Sequence, residues 1–74
     1  MPPLRSLPFR EIKRKLEAAG FSMISQKGSH VKFVKDNGSE LRTVIVPHHR
    51  EIVIGTLRSI LRQAGLSPEE FEEL

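Results

Sequence analysis

Seventy-four residues with no cysteine bound the chain to one small domain, residues 1–74, and exclude both a disulfide framework and a thiolate metal site. The formal charge of +3 is unevenly spread: residues 1–66 hold all twelve Lys and Arg against five acids, a net +7, while residues 67–74 hold four Glu and no base, so a basic body carries an acidic tail and favours nucleic acid or an acidic protein as partner. No apolar stretch approaches a membrane span and the N-terminus lacks the apolar core of a signal peptide, so no membrane role and a cytoplasmic location are expected.

Residues 1–5 read as a loose arm. Pro8 to Ala19 is predicted as the first helix, because Phe9, Ile12, Leu16 and Ala19 recur at spacings of three and four and form one apolar stripe. Pro8 suits a first helical turn, Ser6 is a loosely placed cap, and Gly20 is placed to end the helix in a left-handed conformation. Three strands are expected next, at Phe21 to Gln26, His30 to Lys35 and Glu40 to Val46. Asp36-Asn37-Gly38 is a turn signal between the last two, and Pro47 is expected to stop the third. Short loops imply an antiparallel meander. Ile54, Leu57, Ile60, Leu61 and Ala64 mark a second long helix over Ile54 to Ala64 that Gly65 caps. Ser67-Pro68-Glu69-Glu70 reads as the start of a short C-terminal helix with a capping box, and Phe71 and Leu74 are expected to fold back on the body.

This order, α-β-β-β-α with a short final helix, predicts an α+β domain of two layers, with helices on one face of a three-stranded antiparallel sheet and the other face open and partly polar. It is the topology of double-stranded RNA-binding domains. Alternation along the second strand sets Val31 and Phe33 on one face and His30 with Lys32 on the other, so burial of the first pair exposes the second.

The chemistry-bearing residues are Gly28-Ser29-His30 between Lys27 and Lys32, and the run His48-His49-Arg50 after the third strand. Three chemistries suit these residue types. A metal site on His30, His48 and His49 is disfavoured, because adjacent histidines in extended chain point opposite ways and no carboxylate motif accompanies them; no metal and no cofactor are expected. A nucleophilic Ser29 is disfavoured because no glycine elbow surrounds it; it suits a bond to its own turn or to a phosphate oxygen. General acid–base chemistry on RNA remains. The 2′-hydroxyl is a built-in nucleophile, imidazole moves protons near neutral pH, and Lys27 or Lys32 can steady the phosphoryl charge. On spacing alone the plainer reading, a surface histidine in a hairpin turn, is preferred. Lys27, Gly28, Ser29, Lys32, His48, His49 and Arg50 are the candidate RNA contacts. The second acid or base is left open among His48, His49, Lys27 and a water.

Taken together, Gly20-Phe21, Lys27-Gly28-Ser29-His30-Val31, Val46-Pro47-His48-His49-Arg50-Glu51 and the run Gly55-Thr56-Leu57-Arg58-Ser59-Ile60-Leu61-Arg62-Gln63-Ala64-Gly65-Leu66-Ser67 resemble the HicA (YcfA-like) toxins over nearly the whole chain. The resemblance implies a dsRBD-like fold and the toxin half of a type II toxin–antitoxin pair. It implies an endoribonuclease that cleaves mRNA without the ribosome, with His30 as its catalytic histidine and a HicB antitoxin as partner. A non-catalytic RNA-binding module on the same fold is the alternative. Against duplex binding stands the apolar start of the second long helix, Ile52-Val53-Ile54-Gly55, where such modules place lysines. A third reading is an antitoxin-bound toxin that has lost its activity.

Overall fold

The computed structural model describes residues 4–74, so the expected arm at residues 1–5 falls for its first three residues outside the described span, while Leu4 packs partly buried against the core. The elements run α1 (Phe9–Ala18), β1 (Ser22–Lys27), β2 (His30–Asp36), β3 (Leu41–Pro47), α2 (Ile54–Ala64) and α3 (Pro68–Glu72). The strands form one antiparallel sheet in the order β1-β2-β3. This is the α+β arrangement that the hydrophobic periodicities predict.

One face of the sheet is covered. Val31 and Phe33 of β2 and Val44 and Val46 of β3 are fully buried, against Ile12 and Leu16 of α1 and Leu57, Ile60 and Leu61 of α2. His30 and Lys32 alternate with these residues and are exposed. The opposite face is therefore open, as the period-two pattern requires. No helix among the described residues is long and apolar enough to cross a membrane.

The ends of α1, β1, β2 and β3 shift by one residue from the sequence reading, and three of these shifts have a clear physical reason. Phe21 is buried but precedes β1, because it closes α1: its N–H donates to the Leu16 carbonyl (2.9 Å) and the Gly20 N–H to that of Glu17 (3.0 Å). This is the Schellman pattern, in which the residue after the left-handed glycine packs back on the last turn. β1 is accordingly a fully exposed edge strand, with Met23 46% and Ile24 56% accessible and a bulge in its pairing between Met23 and Ser25. At the other end of the sheet, Pro47 continues β3 instead of stopping it. Pro47 pairs with His30, and the ladder runs one bond further, from the His48 N–H to the Ser29 carbonyl (2.6 Å). A proline is tolerated there because β3 is an edge strand and the position has no amide duty toward β2. Finally, Pro8 is the extended residue before α1 and no side chain caps that helix. Ser6 has no capping role; the first amide, that of Phe9, donates to the His49 carbonyl (3.2 Å) instead.

The outer edge of β3 is closed by α2. The Ile45 N–H donates to Gln63 Oε1 at 2.9 Å, so a side-chain amide satisfies a strand donor that faces no neighbouring strand. At the end of α2, Gly65 has φ +72°, and a Cβ there would lie 2.6 Å from the Arg42 guanidinium carbon. The left-handed conformation is what favours glycine here, since the flexible Arg42 side chain could move aside for a Cβ.

The acidic tail is structural in the way its capping box announces. Ser67 Oγ accepts from the Glu70 N–H (3.1 Å) and the Glu70 carboxylate from the Ser67 N–H (2.8 Å). These backbone and side-chain bonds from Ser67 hold the Glu70 carboxyl below its ordinary pKa. Phe71 is buried and Leu74 packs against the core. Lys15 secures the far end: it is only 8% exposed, lies 5.1 Å over the Phe71 ring, and donates to the carbonyls of Phe71 (3.1 Å) and Leu74 (3.2 Å). An ammonium at a helix C-terminus matches the carbonyls left there without helical donors. Lys15→Met keeps the apolar stem and removes the donors, and it is expected to cost about 1–3 kcal/mol. Urea unfolding measures this, and limited proteolysis should show cleavage concentrating after residue 66. An unchanged midpoint would refute the role given to Lys15.

Candidate active site

The hairpin that carries Gly28-Ser29 is built by its own sequence. Lys27 pairs with His30 across a two-residue turn, and Gly28 adopts φ +59° with open space around it. The glycine is there for its backbone. A two-residue loop that matches the strand twist needs a positive φ at its first position. The turn fixes the register, and the register places the side chains.

Because Val31 and Phe33 face the helices, His30 and Lys32 project from the open face, and Lys27, directly opposite His30, shares it. All three are exposed. Ser25 and Ile45 stand opposite Lys32 on either side, and Pro47 completes the row through His30. None of these neighbouring positions holds a carboxylate. An imidazole is thus set with two lysine positions as neighbours, one across the strand pair and one along the strand, on an accessible surface.

His48 belongs to the other side of the hairpin. It follows Val46 at the alternation that faces the helices, its ring lies 4.1 Å from that of Phe9 at 30°, and its Nδ1 is 3.4 Å from Gln26 Nε2. Of the groups considered as a second acid or base, Lys27 therefore shares the face of His30 and His48 does not. His48, His49 and Arg50 meet the start of α1 instead. With Pro8, Phe9 and Arg10 they line a groove of about 340 Å³. Two tethers hold this segment in place. Leu7 and Ile52, both buried, exchange backbone bonds (3.2 and 2.7 Å), and the Phe9 N–H reaches the His49 carbonyl. Phe9, Arg10 and Gln26 were not candidates in the sequence reading. The only signal was the aromatic-basic pair Phe9-Arg10 at a helix start, and Phe9 was already accounted for by the apolar stripe.

The remaining cations sort by their contacts. Lys13, Arg14 and Arg42 pair with Glu17, Glu11 and Glu40; the Arg14 guanidinium bonded to Glu11 lowers that carboxyl's pKa and raises its own. Lys15 and Lys35 bond helix-end carbonyls. Among the described residues, Arg5, Arg10, Lys27, Lys32, Arg50, Arg58 and Arg62 make no such ion pair or hydrogen bond, and four of them, Arg10, Lys27, Lys32 and Arg50, lie beside the histidines. Among the described residues no group of three or more His, Cys, Asp or Glu is arranged to hold a metal ion.

Residues 9–66 match a protein family described as the HicA toxin of bacterial toxin-antitoxin. The chain belongs to this family. Its role is that of the toxin in a toxin–antitoxin system, which implies an antitoxin as partner. No curated protein matches the chain significantly. The span shared with other HicA toxins opens on the first residue of α1, contains His30 and every groove residue but Pro8, and ends at Leu66, before α3.

Proposed function

We propose that this HicA toxin is a cytoplasmic endoribonuclease that cleaves mRNA without a metal ion, with His30 as general acid or base, and that a HicB-like antitoxin restrains it. The observation that carries the reading is the row on the open sheet face: Lys27 opposite His30, Lys32 two residues on, all exposed. RNA supplies its own nucleophile, the 2′-hydroxyl. Cleavage then requires that its proton be taken, that charge on the phosphoryl oxygens be met and that the leaving 5′-oxygen be protonated. His30 does the proton work, and Lys27 and Lys32 meet the charge. Gly28 and Ser29 bring backbone and hydroxyl donors to the same turn, and His48, His49 and Arg50 add contacts to the RNA beyond the scissile bond. The element order, shared with double-stranded RNA-binding domains, is consistent with an RNA ligand.

The purified protein is expected to fragment a messenger transcript in buffer containing a chelator, with product ends carrying a 2′,3′-cyclic phosphate. Its expression alone should arrest growth, and co-expression of its antitoxin should relieve the arrest. RNA that binds but stays intact through long incubation would instead establish the non-catalytic binding module.

A further inference from the structure

The groove between the start of α1 and His48-His49-Arg50 is a site separate from His30. Its lining, Pro8, Phe9, Arg10, His48, His49 and Arg50, holds two arginines and two imidazoles and no carboxylate. The His48 ring is packed on Phe9 at one side and held at its edge by Gln26, yet the residue is exposed. A fixed, accessible aromatic face beside guanidinium groups suits a planar base linked to a phosphate: bases stack on such platforms with little regard to sequence, and arginine takes the phosphate. The groove's size is at the lower end of the range for small-molecule sites, which fits one nucleotide.

The two sites lie on opposite sides of the hairpin end. His48 takes the alternation of Val46 and Val31, toward the helices, and His30 takes that of Lys32, away from them. The strand pairs His30↔Pro47 and the bond from the His48 N–H to the Ser29 carbonyl bring the two backbones side by side, so only the hairpin end separates the sites. A flexible strand can bend around that end and occupy both. A rigid A-form duplex cannot.

We propose that this groove is a nucleotide subsite for single-stranded RNA, with a base on the His48 ring and its phosphate between Arg10 and Arg50, while the chain bends over the Gly28-Ser29 turn to present the scissile bond to His30. The assignment rests on the RNA-cleaving reading above, but its test does not depend on cleavage. Binding is measured by fluorescence anisotropy with a short single-stranded RNA, 2′-O-methylated throughout and so unable to be cut, and with the same sequence as a duplex.

The single strand should bind more tightly than the duplex. His48→Ala should weaken binding of the single strand by about 5- to 150-fold, the range for loss of one stacked base, and Arg10→Gln with Arg50→Gln should weaken it and make it less sensitive to salt. His48→Phe should restore most of what His48→Ala loses, because it keeps the ring; a purely structural role for the imidazole bond to Gln26 predicts no such rescue. Arg10 and Arg50 are exposed, so their variants should fold as the parent does. Unchanged affinity in the arginine pair, or equal affinity for strand and duplex, overturns the subsite. Intact binding by a protein that cuts no unmodified RNA would leave the subsite standing and remove the enzyme reading instead.

Discussion

His30→Ala is expected to lower the rate of RNA cleavage by about 10²- to 10⁴-fold, the usual contribution of one positioned acid–base group, and to leave the fold as it is. The second half of that expectation follows from placement. His30 is exposed, on the face of the sheet that no helix covers, and surface substitutions away from special features typically change stability by no more than about 0.5 kcal/mol. Its backbone duties, pairing with Lys27 on one side and Pro47 on the other, are carried out equally well by alanine. Single-turnover cleavage together with a urea melt of the same preparation tests both halves. A variant that cuts RNA as fast as the parent would falsify the assignment of His30. A variant that loses cleavage and stability together would show that the histidine serves the hairpin and not the chemistry.

Phe33→Ala should produce the largest loss of stability. Phe33 lies in the central strand, is fully buried, and meets the ring of Phe9 at 6.3 Å and 43°. Truncating a buried Phe to Ala costs about 3–5 kcal/mol, part of it transfer free energy and part the cavity left behind. A domain of this length has on the order of 4–11 kcal/mol in all, so the variant should be partly or wholly unfolded at 37 °C. There is a local consequence too. Phe9 packs on Phe33 and carries His48 on its ring, so the cavity opens beneath the groove. Phe33→Leu, which refills most of the volume, should recover most of the stability. Denaturant unfolding of the three proteins is the measurement; a loss below about 1 kcal/mol for the alanine variant would mean that the two layers are not joined through this residue.

Much of the architecture was legible from local chemistry. The apolar stripes of α1 and α2, the left-handed glycines after them and the Ser67/Glu70 capping box are short-range patterns, and each appears where its spacing places it, except that Ile54 at the start of the α2 stripe is exposed because the first turn extends past the sheet's cover. The exposure of His30 was equally legible, because alternation ties it to the burial of Val31 and Phe33. Phe21 was misplaced because a bulky apolar residue next to a strand reads like part of that strand. Its partner is Leu16, and the bond that reveals this closes a helix. Pro47 was misplaced for a related reason. A proline ends a strand only where its missing N–H would have faced a neighbour, and which side faces β2 is a matter of register.

The candidate site divides along the same line. Residue types and their spacing were enough to bring out Lys27, His30 and Lys32, because a two-residue turn and a period of two are set by nearest neighbours along the chain. The separation of His48 from His30, the tie between Leu7 and Ile52, and the meeting of Arg10 with Arg50 were decided by tertiary structure alone. They depend on how α1 docks against the segment after β3, through contacts between residues some forty positions apart. No local propensity encodes such a pairing; it follows from burying Leu7, Phe9 and Ile52 in one core.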